Sequence, residues 1–178
     1  MPHLYSGAFD FGSVKMETER LIIDGIKESD KEDYFHCISH DKRVLETFIC
    51  RYAENLSDLD FSPYLSNDSL FAVRLKDSGR LIGIILYFDV KDDSCVIGYG
   101  LGSEYWGRGF ATEAVKRFID YLFNDKGFHK VNASFFSGNE ASKRVMEKNG
   151  MRFSRFSEKE LEYLGEERDL TYYSIEKN

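Results

Sequence analysis

One stretch constrains this chain more than any other: Gly98 to Leu122, GYGLGSEYWGRGFATEAVKRFIDYL. Glycines stand at 98, 100, 102, 107 and 109, and an amphipathic pattern begins directly after them. Ala111, Ala114, Val115, Phe118, Ile119, Leu122 and Phe123 recur at the spacing of one helix face, and Glu113, Lys116, Arg117 and Asp120 take the other. Ahead of the glycines, DSCVIGYGL has the β-branched and aromatic content of a buried strand. Strand, glycine-rich turn and helix in this order present free backbone N–H groups at the positive end of a helix. A phosphate fits such a place. Gly107 and Gly109 lack a Cβ, so a ligand can approach the main chain closely.

Two of the known phosphate-loop patterns fail here. The string GxxxxGK[ST] does not occur. GxGxxG breaks at its third glycine, where Ser103 follows Gly98-x-Gly100 and Thr112 follows Gly107-x-Gly109. A plain turn joining strand to helix is the simplest remaining reading. The alternative is a resemblance. EYWGRGFATEA resembles the coenzyme A loop of the GNAT family of N-acetyltransferases, with the pattern [Gln/Arg]-x-x-Gly-x-[Gly/Ala], and its wording is closest to the RimJ/RimL-type branch that acetylates ribosomal-protein N-termini. Glu104 departs from the first position and is expected to point away from a pyrophosphate. A second segment, Asn139 to Met151, resembles the family's N-x-x-[Ala/Ser]…EK-x-G-F run.

The resemblance implies an α/β (α+β) domain, the GNAT acyl-CoA N-acyltransferase fold, with a mixed, mostly antiparallel sheet flanked by helices. Acetyl-CoA would lie in a notch between the strand ending near Leu101 and the strand ending near Phe136. Its pyrophosphate would sit on backbone amides from Trp106 through Gly107, Arg108, Gly109 and Ala111 to Thr112. Asn139 would hydrogen-bond the cofactor near its thioester, with Ser142 assisting. Asn139 also stands where a helix N-cap is needed, and capping alone accounts for an asparagine there. The family's proton-donating tyrosine corresponds to Met146, which has no proton to give. Tyr99 is the substitute candidate, against its reading as a half-buried strand tyrosine. No general base is identified, and Glu46 is read first as a solvated helix-face carboxylate. The activity implied is direct acetyl transfer in a ternary complex to a primary amine, on a protein N-terminus or a small molecule. The rival is a non-catalytic acyl-CoA sensor.

Composition narrows the partners. The net charge of −7 with no basic cluster disfavours nucleic acid. An acidic surface would attract a cationic acceptor, although acidity for solubility alone is common. Cys37, Cys50 and Cys95 form no CxxC, so no disulfide framework or zinc site is expected, and a cytoplasmic location fits. His36 and His40 share a helix face but lack further metal ligands, and no metal is expected. No apolar run reaches membrane-spanning length and no signal-peptide core is visible. A homodimer is left open.

In chain order, residues 1–16 read as an extension that Tyr5, Phe9 and Phe11 could anchor, and 17–178 as one domain. TERLIIDGI from Thr18 reads as a strand. Ser29 and Glu32 form a capping box that opens a helix to about His40. A second helix is expected over Lys42–Asn55, a turn-rich stretch over 57–68, and a meander of Leu70–Leu75, Arg80–Val90 and the strand entering the glycines. After the central helix come a strand at His129–Phe136, a helix at Glu140–Lys148, and strands at Met151–Phe156 and Arg168–Ile175. The charged segment between those last two reads as a connection.

Overall fold

The structure, a computed structural model, describes residues 14–178. The anchoring role expected for Tyr5, Phe9 and Phe11 lies outside the described residues. One eight-stranded sheet has the order β1-β2-β3-β4-β5-β6-β8-β7. In chain order, β1 is Lys15–Glu17, β2 Leu21–Gly25, β3 Leu70–Leu75, β4 Leu81–Lys91, β5 Ser94–Leu101, β6 Lys130–Phe136, β7 Arg152–Tyr163 and β8 Glu166–Glu176. β1 starts inside the segment read as an extension and pairs with β2. The expected meander is present: β2 through β5 are antiparallel neighbours, and Gly79 makes the turn after β3 at φ +72°.

The sheet splits at its centre. β5 and β6 run parallel and pair only from Ser94↔Lys130 to Ile97↔Ala133. Beyond that point each follows its other neighbour: β5 stays on β4 out to Leu101, and β6 stays on β8 out to Phe136. Two strands held by separate partners in a twisted sheet must diverge, and a notch opens between them.

Two apolar layers cover the sheet. On one face lies the central helix, Phe110–Asn124, which is buried through Ala114, Val115, Phe118, Ile119, Leu122 and Phe123, the stripe its sequence predicts. Fully burying one such large apolar side chain contributes about 1.5–3 kcal/mol. The opposite layer is built by the early helices, where Tyr34, Phe35, Ile38 and Val44 pack on Leu70, Ala72 and Ile84.

The early helices differ from expectation. The expected helix to about His40 is present as one continuous run, but it opens as a 3₁₀ turn at Glu28–Asp30 and not from a Ser29–Glu32 box, passes through α1, Lys31–Tyr34, and closes as a π-helical turn at Phe35–Ser39. The start is held by the Asp30 carboxylate, which accepts from the Lys27 N–H at 2.7 Å. The same carboxylate receives Arg74 Nη2 at 2.7 Å, while Arg74 Nε donates to Asp24 at 2.6 Å. Arg74 and Asp30 are buried, so the need to pair a buried guanidinium decides where the turn begins. The second helix is cut short. α2 spans only Lys42–Leu45, capped by Asp41, which accepts from the Arg43 N–H at 3.0 Å. Thr47, Phe48, Ile49 and Tyr52 are modest helix formers, and the chain beyond is claimed by distant partners: Ala53 N–H by the Ser39 carbonyl, and the Phe48 carbonyl by Tyr163. His40 packs between Phe35 and Tyr52. The 57–68 stretch contains a short helix, α3, at Ser62–Leu65.

The charged segment near the C-terminus is a strand and not a connection. β7 runs on to Tyr163 and turns at Leu164-Gly165, both at positive φ. The edge position explains the composition, because a charged edge strand resists pairing with other chains. The central helix is α4, and α5 is Glu140–Lys148.

Candidate active site

A groove with about 270 Å³ of open space lies where β5, the loop after it and the N-termini of α4 and α5 converge. Two features of the main chain face it. The first is the start of α4. Gly109 is its N-cap at φ +80° and no side chain caps the helix. The first helical bond at this end is Glu113 N–H to the Gly109 carbonyl. The N–H groups of Phe110, Ala111 and Thr112 therefore have no intrahelical partner. Gly107 is also left-handed, at φ +72°. The second feature is the free edge of β5. The Gly102 N–H bonds the Ile82 carbonyl, so 98, 100 and 102 address β4 and the alternate residues, Tyr99 and Leu101, turn their main chain to the notch. The Leu101 carbonyl is taken by the Trp106 indole N–H at 2.8 Å.

Leu101, Trp106, Gly107, Gly109, Ala111, Thr112, Asn139 and Ser142 all line the groove. Asn139 caps α5 by accepting from the Ser142 N–H at 3.1 Å. Its amide NH₂ makes no hydrogen bond among the described residues. Tyr99 lines the groove too, and its phenol donates to the Ser142 carbonyl at 3.3 Å. Burial pushes that phenol well above the usual tyrosine range, against the smaller opposing effect of the Ser142 bond.

Of the residues expected to hold the cofactor, Arg108 alone does not line the groove. The Arg108 side chain is exposed and stacks over Phe110, 4.9 Å from the ring centre. Glu104 is exposed outside the groove, in line with its expected direction, and Glu46 is likewise an exposed residue outside it. Met146 is buried in the core beneath α5 and does not reach the groove.

The structure also adds residues that sequence reasoning missed. Arg144 and Lys148 line the groove from one face of α5. Their i, i+4 spacing was a readable signal. Arg20 was not readable. From the start of β2 its Nη1 donates to the Arg108 carbonyl at 3.0 Å, its Nε donates to Glu113 Oε2 at 2.7 Å, and its guanidinium lies 4.4 Å from the Phe110 ring centre. Glu113 also accepts from Thr18 Oγ1 at 2.6 Å. Burial opposes ionisation of Glu113, but hydrogen bonds from Thr18 and Arg20 outweigh it and hold its carboxyl below the usual range. Glycine loop and first helical turn are thus clamped from outside the groove. On the other side, Asn149 Nδ2 donates to the Thr112 carbonyl at 3.2 Å.

Comparison with known proteins identifies the family and the fold. Residues 20–152 match the family model described as Acetyltransferase (GNAT) domain. The uncharacterized N-acetyltransferase YoaA of Bacillus subtilis is 29% identical over 178 aligned residues, covering 91% of this chain and 96% of the relative. The crystal structure of a GNAT-family acetyltransferase from Bacillus anthracis superposes with a TM-score of 0.82 at 27% identity, covering 92% of this chain and 98% of that one. The fold is also that of Mycobacterium smegmatis RimJ in complex with CoA-disulfide, with a TM-score of 0.75 at 19% identity over 92% of this chain and 86% of RimJ.

Proposed function

This chain belongs to the GNAT acetyltransferase family, and on that premise we propose that it transfers acetyl from acetyl-CoA directly to a primary amine, on a protein N-terminus or a small molecule. The observation that carries the reading is the meeting, in one groove, of the open N–H groups of α4 with the unpaired edge of β5. The first would take the pyrophosphate, helped by the charges of Arg144 and Lys148. The second would pair with the amides of the pantetheine arm through Tyr99 and the Leu101 N–H. Asn139 would offer its free NH₂ near the thioester.

The chemistry then rests on positioning. The neutral amine attacks the thioester carbonyl, the carbon–sulfur bond breaks, and the amine proton passes to solvent. A thiol has a pKa near 8.5, so its thiolate leaves without a strong acid. Met146 could not supply one, and burial keeps the Tyr99 phenol protonated. The test is a broad amine panel with acetyl-CoA, scored by release of free thiol. Amine-dependent release is expected. Tight CoA binding with no turnover on any amine would establish a binding module instead.

Two variants probe the site itself. Arg20→Ala should fold and lower CoA affinity about tenfold, equivalent to about 1.4 kcal/mol, because Arg20 holds the loop from outside the groove. Titration calorimetry reads this, and Arg20→Lys should recover only part, since an ammonium cannot reach Glu113 and the Arg108 carbonyl together as a planar fork does. Asn139→Asp separates capping from ligand binding. An aspartate still caps, so the melting temperature should stay within a few degrees. It cannot donate, so turnover with acetyl-CoA should fall about tenfold or more. Unchanged kinetics would reduce Asn139 to a helix cap.

A further inference from the structure

Among the described residues, Phe48 is the one aromatic side chain in the groove that comes from the layer built by the early helices. It follows α2 on irregular chain, held at its own N–H by the Val44 carbonyl at 2.8 Å. Its ring lies flat on β5 at Gly100. A Cβ added to Gly100 would meet two ring atoms at 2.9 Å, so only glycine at this position admits the ring. The flanking residues Tyr99 and Leu101 are the ones that turn their main chain to the notch.

Phe48 is also fixed from the far side of the notch. The Tyr163 phenol, at the end of β7, donates to the Phe48 carbonyl at 3.1 Å and lies 3.5 Å from the Cys50 N–H, which donates to it. The Tyr163 ring stacks on Phe136, the last residue of β6, at 5.5 Å between centres. The ends of β5 and β6, which part to form the notch, are thereby rejoined through Gly100, Phe48, Tyr163 and Phe136. The rejoining lies on the sheet face opposite α4.

We propose that Phe48 limits the size of the acyl group the site accepts. The inference rests on the acetyl-CoA reading above. A thioester placed at the edge of Tyr99 puts its acyl carbons in the notch beside β5, against the exposed side of the Phe48 ring. A longer chain must displace that ring, which Gly100 seats and Tyr163 restrains. One methylene in an apolar pocket changes discrimination by about 10–200-fold.

The experiment compares the affinities of CoA, acetyl-CoA and butyryl-CoA for the full chain by calorimetry. The readout is the ratio of acetyl-CoA to butyryl-CoA affinity, which a uniform loss of binding does not move. The parent should favour acetyl-CoA about tenfold or more. Phe48→Ala should bring the ratio close to one, and Tyr163→Phe, which keeps the ring and removes the hydrogen bonds, should move it part of the way. Phe48→Leu provides a second truncation if the alanine variant does not fold. An unchanged ratio in a folded truncation, or a parent that does not discriminate, overturns the proposal. A parent that binds neither CoA nor acetyl-CoA overturns the cofactor reading beneath it.

Discussion

Gly109→Val is expected to weaken CoA binding by about a hundredfold, or about 2.7 kcal/mol, in a chain that still folds. Gly109 sits at φ +80° as the N-cap of α4, a conformation that a β-branched residue adopts only under strain of about 1–3 kcal/mol. Its added Cβ would already touch Arg20 Nη2 at 3.4 Å, and the methyls of valine extend further. The loop therefore yields in two ways. Its backbone leaves the left-handed region, and Arg20 is pushed from the Arg108 carbonyl and from Phe110. Both movements disperse the N–H groups proposed to hold the pyrophosphate. Gly107 provides the contrast. A Cβ there meets nothing within 4 Å, so Gly107→Ala carries backbone strain alone and should lose less. Calorimetric titration with CoA beside a thermal melt decides the matter. A folded Gly109→Val chain that binds like the parent would show that this helix start is not the phosphate seat.

Arg74→Ala should have the largest effect on stability, a loss of about 3–5 kcal/mol. The Arg74 side chain joins Asp24 on β2 to Asp30 at the entry of the early helices, and Nη2 also reaches the Gly25 carbonyl at 3.2 Å. Removing it leaves Asp30, only 3% exposed, without its counter-charge. For a domain of this size each kcal/mol shifts the melting temperature by about 2–4 °C, so a drop of about 10 °C is expected. Chemical denaturation should show a lower midpoint at unchanged slope. The double change Arg74→Met with Asp30→Leu should cost less than the sum of the two single changes, because it also removes the buried charge. Additive losses would mean that the two side chains contribute independently.

The unequal legibility of the early and central segments has one cause. Where a residue's partners lie within a few positions of it, the amino-acid order alone sufficed. The stripe of α4, the turn at Gly79, the Asn139 cap and the positive-φ glycines beside α4 all follow from local spacing and backbone freedom. The order of the glycine loop and the Asn139 segment, one strand apart, was enough to locate both walls of the groove.

Long-range partners decided the rest. Ser29 and Glu32 have the spacing of a capping box, but Asp30 is drawn to Arg74, 44 positions away, and sets the turn instead. Residues 46–55 keep a helical pattern of apolar positions, yet the Ala53 N–H goes to Ser39 and the Phe48 carbonyl to Tyr163, and the helix stops at Leu45. SEKELEY reads as a charged connection until β8 pairs with it and makes it the sheet's edge. In the site, Arg108 lies beside the right glycines but its side chain turns to Phe110, while Arg144 and Lys148 supply the groove's cations. Arg20, 88 positions before Arg108, clamps the loop with no local sign of doing so. Helix stripes, caps and tight turns are set by neighbours in the chain, and the order of residues states them. The pairing of a buried charge, the end of a marginal helix and the direction of a long side chain are set by what folding brings alongside, and only the assembled sheet supplies those neighbours.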